Sequence, residues 1–262
     1  MEILFVYLAV GAFAGTIAGL LGVGGGLIIV PVLALLFQRW GFPDSILMHL
    51  AIGTSLATIV LTAISSMHAH HRRGAVDWSV FRRLTPGIVV GALLGAVIAD
   101  FMPAKTLRLF FGVFELAVAA QIGLSLLASP HRRLPGGVGM GIAGVVIGAL
   151  SAVVGIGGGT LTVPFLVWCN VALRNAVATS SATGLPIAVA GAVGFVLTGW
   201  NEPDLPAWST GYLYWPALAG IAAASLAFAP LGAWLAHTLP VDTLRRFFAI
   251  FLAVLGVRML LG

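Results

Sequence analysis

Apolar residues run in long unbroken blocks, and polar positions are confined to short gaps between them. Ten blocks stand out, over residues 3–21, 26–37, 46–67, 84–102, 106–128, 136–154, 159–173, 176–200, 211–237 and 243–261. Most are long enough to cross a hydrocarbon layer about 30 Å thick. Barrel strands would read as alternating segments of about ten residues. These blocks are continuous and rich in Leu, Ala, Val and Gly, which predicts helices that satisfy their backbone groups internally. Two blocks are too short to cross. Leu27–Phe37 covers about 16 Å as a helix, and the seventh block is nearly as short. The pattern alone leaves open whether they re-enter or cross with help from neighbours.

Each short block follows a glycine cluster, where the backbone entropy cost of consecutive glycines opposes continuation of a helix. The two clusters belong to a larger internal repeat. Gly22-Val23-Gly24-Gly25-Gly26, ending at Pro31, matches Gly155-Ile156-Gly157-Gly158-Gly159, ending at Pro164, at an offset of 133. The run Ala51–Thr58 matches Ala176–Thr183 at an offset of 125. Pro103 with Thr106-Leu107-Arg108 matches Pro240 with Thr243-Leu244-Arg245 at an offset of 137. Two membrane repeats are therefore expected, over 1–129 and 138–262, joined by a linker at 130–137. Each holds five segments, so it crosses three or five times according to whether its first two segments form a returning hairpin. Both counts are odd, and the second repeat must insert upside down relative to the first. The expected fold is an all-α polytopic membrane protein of two inverted-topology repeats, with short half-helices broken at the glycine clusters.

Composition agrees. Only 8% of the residues are charged and 60% are hydrophobic, whereas a soluble domain carries about 25% charged residues. The net charge of +5 comes from arginines at block ends, so topology accounts for it better than nucleic acid does. Placing Arg72, Arg73, Arg82 and Arg83 in the cytoplasm, within a solvated loop that also holds His68, His70 and His71, puts nine basic residues inside and four outside. That satisfies the positive-inside rule with both termini outside. Trp200, Trp208, Tyr212, Tyr214 and Trp215 bracket the acidic 202–204 loop as an interfacial aromatic belt. The first block lacks a basic leader and reads as a membrane helix rather than a cleaved signal peptide. Cys169 is the single cysteine and reads as a packing residue; no intrachain disulfide, metal site or cofactor is expected.

A helix that restarts inside the membrane presents unpaired N–H groups and the positive end of its dipole. Starts at Gly24, Gly25 and Gly26, and at Gly157, Gly158, Gly159 and Thr160, would converge from opposite faces into an anion site. The competing reading is that the glycines only allow close helix packing. On the site reading, a bulky residue at Gly25 or Gly158 should abolish transport and leave folding intact. Thr54, Ser55, Thr58 and Thr62, with Thr179, Ser180 and Thr183 in the second repeat, offer hydroxyl donors for an oxyanion. Alternatively they bond back to their own helices. His49 and Arg174, five residues ahead of each Thr-Ser pair, are candidate gates at opposite mouths or plain solvated helix starts. Glu115 is the one acid deep in an apolar block, and its repeat counterpart is Leu252. It either carries a coupled proton or makes a structural hydrogen bond. An intramembrane enzyme would need a nucleophile–base pair or a metal at this depth. Apart from Glu115 the inventory is too thin, so no catalytic residue is expected.

The paired Gly-x-Gly-Gly-Gly clusters, with Gly53-Thr54-Ser55-Leu56 and Ala178-Thr179-Ser180 downstream, resemble the TauE/SafE sulfite exporter family over essentially the whole chain. The resemblance implies a cell-membrane transporter of a small sulfur anion, sulfite or an organosulfonate, with export expected, and the central site between inverted repeats points to alternating access. It carries over the glycine clusters and the Thr-Ser pairs as the binding residues. An importer of thiosulfate or another small anion, or an anion channel, is the alternative.

Overall fold

A computed structural model describes residues 2–21, 25–124, 132–238 and 241–261. Gly24 and Pro240, both singled out above, lie outside the described residues. Among the described residues there are ten helices and no strand: α1 (Glu2–Leu21), α2 (Gly26–Arg39), α3 (Leu47–Arg72), α4 (Trp78–Asp100), α5 (Ala104–Gly123), α6 (Gly137–Val154), α7 (Gly159–Trp168), α8 (Leu173–Thr198), α9 (Trp215–Thr238) and α10 (Val241–Leu261). Six are long and apolar enough to cross a membrane. Outward faces carry large apolar side chains such as Val90, Leu94 and Ile98 on α4 and Val113 on α5, a surface that lipid accepts and water does not. The fold is that of an all-α polytopic membrane protein.

Two boundaries differ from the apolar pattern. α3 continues through His68, His70 and His71 to Arg72, and α4 begins at Trp78, so Arg82 and Arg83 are helical. The polar stretch expected to be a loop is mostly two helix ends. The cause is capping: the Asp77 carboxylate accepts from the N–H groups of Ser79 and Val80 at 2.9 and 3.1 Å. That satisfies orphan donors and starts α4 well before the apolar block.

Both glycine clusters break the chain where expected. α1 ends at Leu21 and α2 starts at Gly26; α6 ends at Val154, Gly155 turns left-handed at φ 77°, and α7 starts at Gly159. Tyr7 of α1 meets Trp40 at the end of α2, ring centroids 5.3 Å apart. Arg132, just before α6, bonds through its N–H to the Trp168 carbonyl at the end of α7 and lies over that indole ring. Each pair is therefore a hairpin that returns to the end it left, with its glycine break at the tip. By helix rise, Gly26 lies about 21 Å from Trp40 and Gly159 about 14 Å from Trp168. Together these depths match a hydrocarbon core of about 30 Å.

The helix–helix contacts repeat at the offsets seen in the sequence. α1 packs chiefly on α9 and α6 on α4. A Cβ at Gly11 would strike the backbone of Ile221, and one at Gly15 the backbone of Ser225. Their counterparts Gly144 and Gly148, 133 residues on, abut Leu84 and Ile88, which precede Ile221 and Ser225 by 137. Such small residues let membrane helices approach to backbone contact. Exchange of partners in both directions is the mark of a two-fold relation. α5 packs on α10, and α3 on α8, each across that same relation. The hairpins enter from opposite ends, which is the inverted arrangement.

Candidate functional site

The hairpin tips meet. A Cβ on Gly26, the first residue of α2, would run into the Gly155 carbonyl and the Ile156 Cα of the other tip. Ser55, on α3, donates its hydroxyl to the Gly155 carbonyl at 2.9 Å. Glycine at 26 and a left-handed Gly155 are thus both required by the meeting of two backbones. Gly158 is equally crowded: a Cβ there would lie 2.5 Å from the Ser180 carbonyl and 2.8 Å from Thr183 Oγ1 on α8. A bulky residue at Gly158 would therefore disturb the packing of α7 on α8 as well as any site, contrary to the expectation of intact folding. Gly157 is different, since its Cβ would meet only Ile59 Cγ2 at 3.5 Å. At Gly25 it would meet the flexible end of Ile29 at 3.0 Å. Gly159 opens α7 and is half-buried.

The α7 start has the properties of an anion-receptive helix end. Its first intrahelical bond runs from the Thr162 N–H to the Gly158 carbonyl at 2.9 Å, leaving the N–H groups ahead of Thr162 outside the helix ladder. Ser151 in the last turn of α6, and Thr160 and Thr162 in α7, are buried, and their hydroxyls have no hydrogen-bond partner. Thr160 and Thr162 point about 200° apart around the helix, so they serve different surroundings. In the first hairpin the equivalent positions are Leu27 and Ile29. The polar character therefore belongs to the second tip. Pro31 and Pro164 lie inside α2 and α7, and each removes the N–H that would have bonded a carbonyl one turn back.

The Thr-Ser pairs do structural work at their tips and junctions. Thr54 Oγ1 accepts from the Tyr214 N–H at 3.0 Å, and Thr179 Oγ1 accepts from the Asp77 N–H at 2.9 Å. Thr58 donates to the Thr54 carbonyl, Ser180 to Val177 and Thr183 to Ser180. Those three hydroxyls bond back to their own helices.

His49 and Arg174 part company. Arg174 is exposed in the first turn of α8. His49 is only 4% exposed, with Nε2 2.9 Å from the Ala99 carbonyl and its ring stacked on Tyr212 at 4.9 Å. Burial, with Asp100 and Glu202 nearby, pushes the Tyr212 phenol well above its usual range, so it stays protonated over that histidine. At the same end, Tyr214 packs edge-on against Tyr7, Phe37 and Phe42. Glu115 is fully buried on α5, and neither carboxylate oxygen has a partner.

The sequence reading passed over Ser151 and Thr162. Ser151 lies one turn before the break, and Thr162 interrupts an otherwise apolar half-helix; those were the available signals. It also missed the backbone donors of Tyr214 and Asp77, which no side-chain pattern announces. No group of three or more His, Cys, Asp or Glu able to hold a metal occurs among the described residues.

Apolar helices packed around two broken hairpins, whose tips meet at mid-depth beside unpartnered hydroxyls, define a polytopic membrane transporter. The chain belongs to the sulfite exporter TauE/SafE family, which matches residues 7–259. It is 37% identical to a probable membrane transporter protein of Haemophilus influenzae, over 97% of both chains. It is 28% identical to a probable membrane transporter protein of Methanocaldococcus jannaschii, covering 96% of this chain and 93% of the relative. A probable membrane transporter protein of Bacillus subtilis shares 28% identity over 72% of this chain and 77% of its own length. The family and these relatives are named as transporters, not as enzymes. No solved structure matches the chain.

Proposed function

We propose that the protein moves a small sulfur-containing anion, sulfite or an organosulfonate, out of the cell by alternating access around the meeting hairpin tips. The family name supports the substrate class. The observation that carries the site is the start of α7: N–H groups outside the helix ladder, the buried, unpartnered Thr160 hydroxyl in its first turn, and that of Ser151 in the turn before the break. A helix N-terminus attracts an anion without a full positive charge, which allows release as well as capture. In this reading Gly25, Gly26, Gly157, Gly158 and Gly159 bring backbone to the ligand; Gly24, which lies outside the described residues, is proposed with them from the sequence repeat. Thr54, Ser55 and Thr179 hold the tips and junctions through which the site opens, and Ser180 lies on α8 against Gly158. Arg174 at one end and the buried His49 at the other belong to the two gates. The rocking bodies are the repeats 1–129 and 138–262, joined through 130–137.

The basic helix ends support a cell-membrane orientation with both termini outside, because nine of the thirteen basic residues lie at the end where α4, α6 and α8 begin. The test is sulfite efflux from liposomes holding the purified protein, with thiosulfate, sulfoacetate, taurine and sulfate as competitors. Saturable efflux blocked by a subset of these supports the reading and names the substrate group. Uptake driven only inward would make the protein an importer, and unitary conductance in planar bilayers would make it a channel. No flux for any sulfur anion would overturn the substrate class.

A further inference from the structure

We infer that Glu115 is a proton-binding site that couples anion transport to the proton gradient, an inference that rests on the transport reading above. Glu115 is the twelfth residue of the twenty in α5, so it sits near the middle of a spanning helix. Its side chain is fully enclosed, and neither carboxylate oxygen has a hydrogen-bond partner. The structural hydrogen bond that would explain a buried acid is therefore missing. An unpartnered carboxylate in an apolar interior is too costly to keep ionised, and the state consistent with this packing is the neutral acid.

Packing does not demand an acid here. The buried stripe of α5 runs Leu107, Phe111, Glu115, Val118 and Ala119. The repeat-equivalent position holds Leu252, which is just as buried, so leucine fills the same place in the other half. α5 crosses α10 closely, with Gly112, about one turn before Glu115, and Leu116, the residue after it, against Gly256.

By position along their helices, the charged residues of the elements packed on α5 lie away from this depth. On α10, Asp242, Arg245 and Arg246 are in the first turns, and Arg258 is exposed near the other end. On α3, His49 is in the first turn and held at Ala99, while His68, His70, His71 and Arg72 occupy the far end. α6 carries no charged residue. On α5 itself, Lys105 is exposed near the start, and half-buried Arg108 lies two turns before Glu115, with its Nε unpartnered. A hard cation such as sodium or calcium would need several oxygen ligands gathered at one point, and among the described residues no donor or acceptor reaches either Glu115 oxygen. A proton needs none. In the cycle, the carboxylate takes a proton from water on one side to become the acid seen here. It returns the proton to water on the other side, and only the O–H bond forms and breaks.

The experiment uses the full chain in liposomes, with methanesulfonate as the probe because it stays a monoanion across neutral pH. With one-for-one coupling, a monoanion accumulates about tenfold per pH unit of imposed gradient in the wild type. Glu115→Gln, which keeps the shape of the neutral acid, should bring that ratio to one, and Glu115→Asp should restore part of it. Difference infrared spectra give an independent readout, namely a protonated-carboxyl C=O band in the wild type that titrates with pH and vanishes in Glu115→Gln and Glu115→Leu. Accumulation by Glu115→Gln equal to the wild type would overturn the proposal, as would a wild-type spectrum without that band. If the wild type moves no anion at all, the substrate reading fails, and the infrared band still decides whether Glu115 holds a proton.

Discussion

Thr54 on α3 accepts a hydrogen bond from the backbone N–H of Tyr214, 160 positions along the chain, at 3.0 Å. The same bond recurs between Thr179 on α8 and the N–H of Asp77 at 2.9 Å. The threonines are related by an offset of 125 and the donors by 137, the offsets at which the two halves match. Each half thus uses one threonine to hold the entry of the other half's fourth helix.

Replacing Thr54 by Val keeps the shape and removes the acceptor, leaving the Tyr214 N–H without its partner. The expected loss is about 1–3 kcal/mol, read as a lower unfolding temperature in detergent. Thr54→Ser should lose much less. Thr179→Val should behave alike, and equal stability in all three variants would remove these bonds from the account of how the halves are joined.

Within the second tip, neighbouring glycines should respond differently. Gly158→Ala forces a methyl group against the Ser180 carbonyl, an overpacking that costs about 1–3 kcal/mol. Gly157→Ala meets an ordinary contact with Ile59 and should fold like the wild type. Thermal unfolding of the two variants side by side checks this.

Thr160 offers a cleaner test of ligand contact, because its hydroxyl makes no intramolecular bond. Thr160→Val should leave the unfolding temperature unchanged or raise it. Loss of one hydrogen bond to an anion is worth about 1.5–3 kcal/mol, so the KM for sulfite efflux should rise about ten- to hundredfold. An unchanged KM would take Thr160 out of the site.

Orientation can be read with cysteine labelling, since the native Cys169 is buried. Cysteines placed at the exposed positions Arg73 and Asn201 should react with an impermeant maleimide from opposite faces of the membrane. Asn201→Cys should label in intact cells and Arg73→Cys only after permeabilisation. The reverse pattern would invert the proposed topology.

Much of this architecture was legible in the residues. Helices could be read because lipid demands unbroken apolar blocks, and the breaks because Gly22–Gly26 and Gly155–Gly159 interrupt them. The repeat was legible because Pro31 and Pro164 keep the same register behind each cluster. What the sequence hid is tertiary. Nothing in Thr54 says that it serves Tyr214 rather than a ligand, and nothing in His49 says that Ala99 and Tyr212 will enclose it. The hydroxyls with the best claim to a ligand, Ser151 and Thr160, are among those left over once packing has used others such as Thr54 and Thr179, and that remainder is known only after the helices are placed. The start of α4 was misplaced because a single capping residue, Asp77, outweighed hydropathy.

The exchange of partners between α1 with α9 and α4 with α6 has a consequence for biosynthesis. α1 leaves the ribosome before the other described helices, and α9, on which it packs, is the eighth to follow. Until α9 arrives, the Gly11–Gly15 face of α1 has only lipid or insertion machinery to rest against. α6 has no such wait, because α4 is already in the membrane when its own Gly144–Gly148 face emerges. The second hairpin can therefore settle during synthesis, and the first closes the molecule almost at the end.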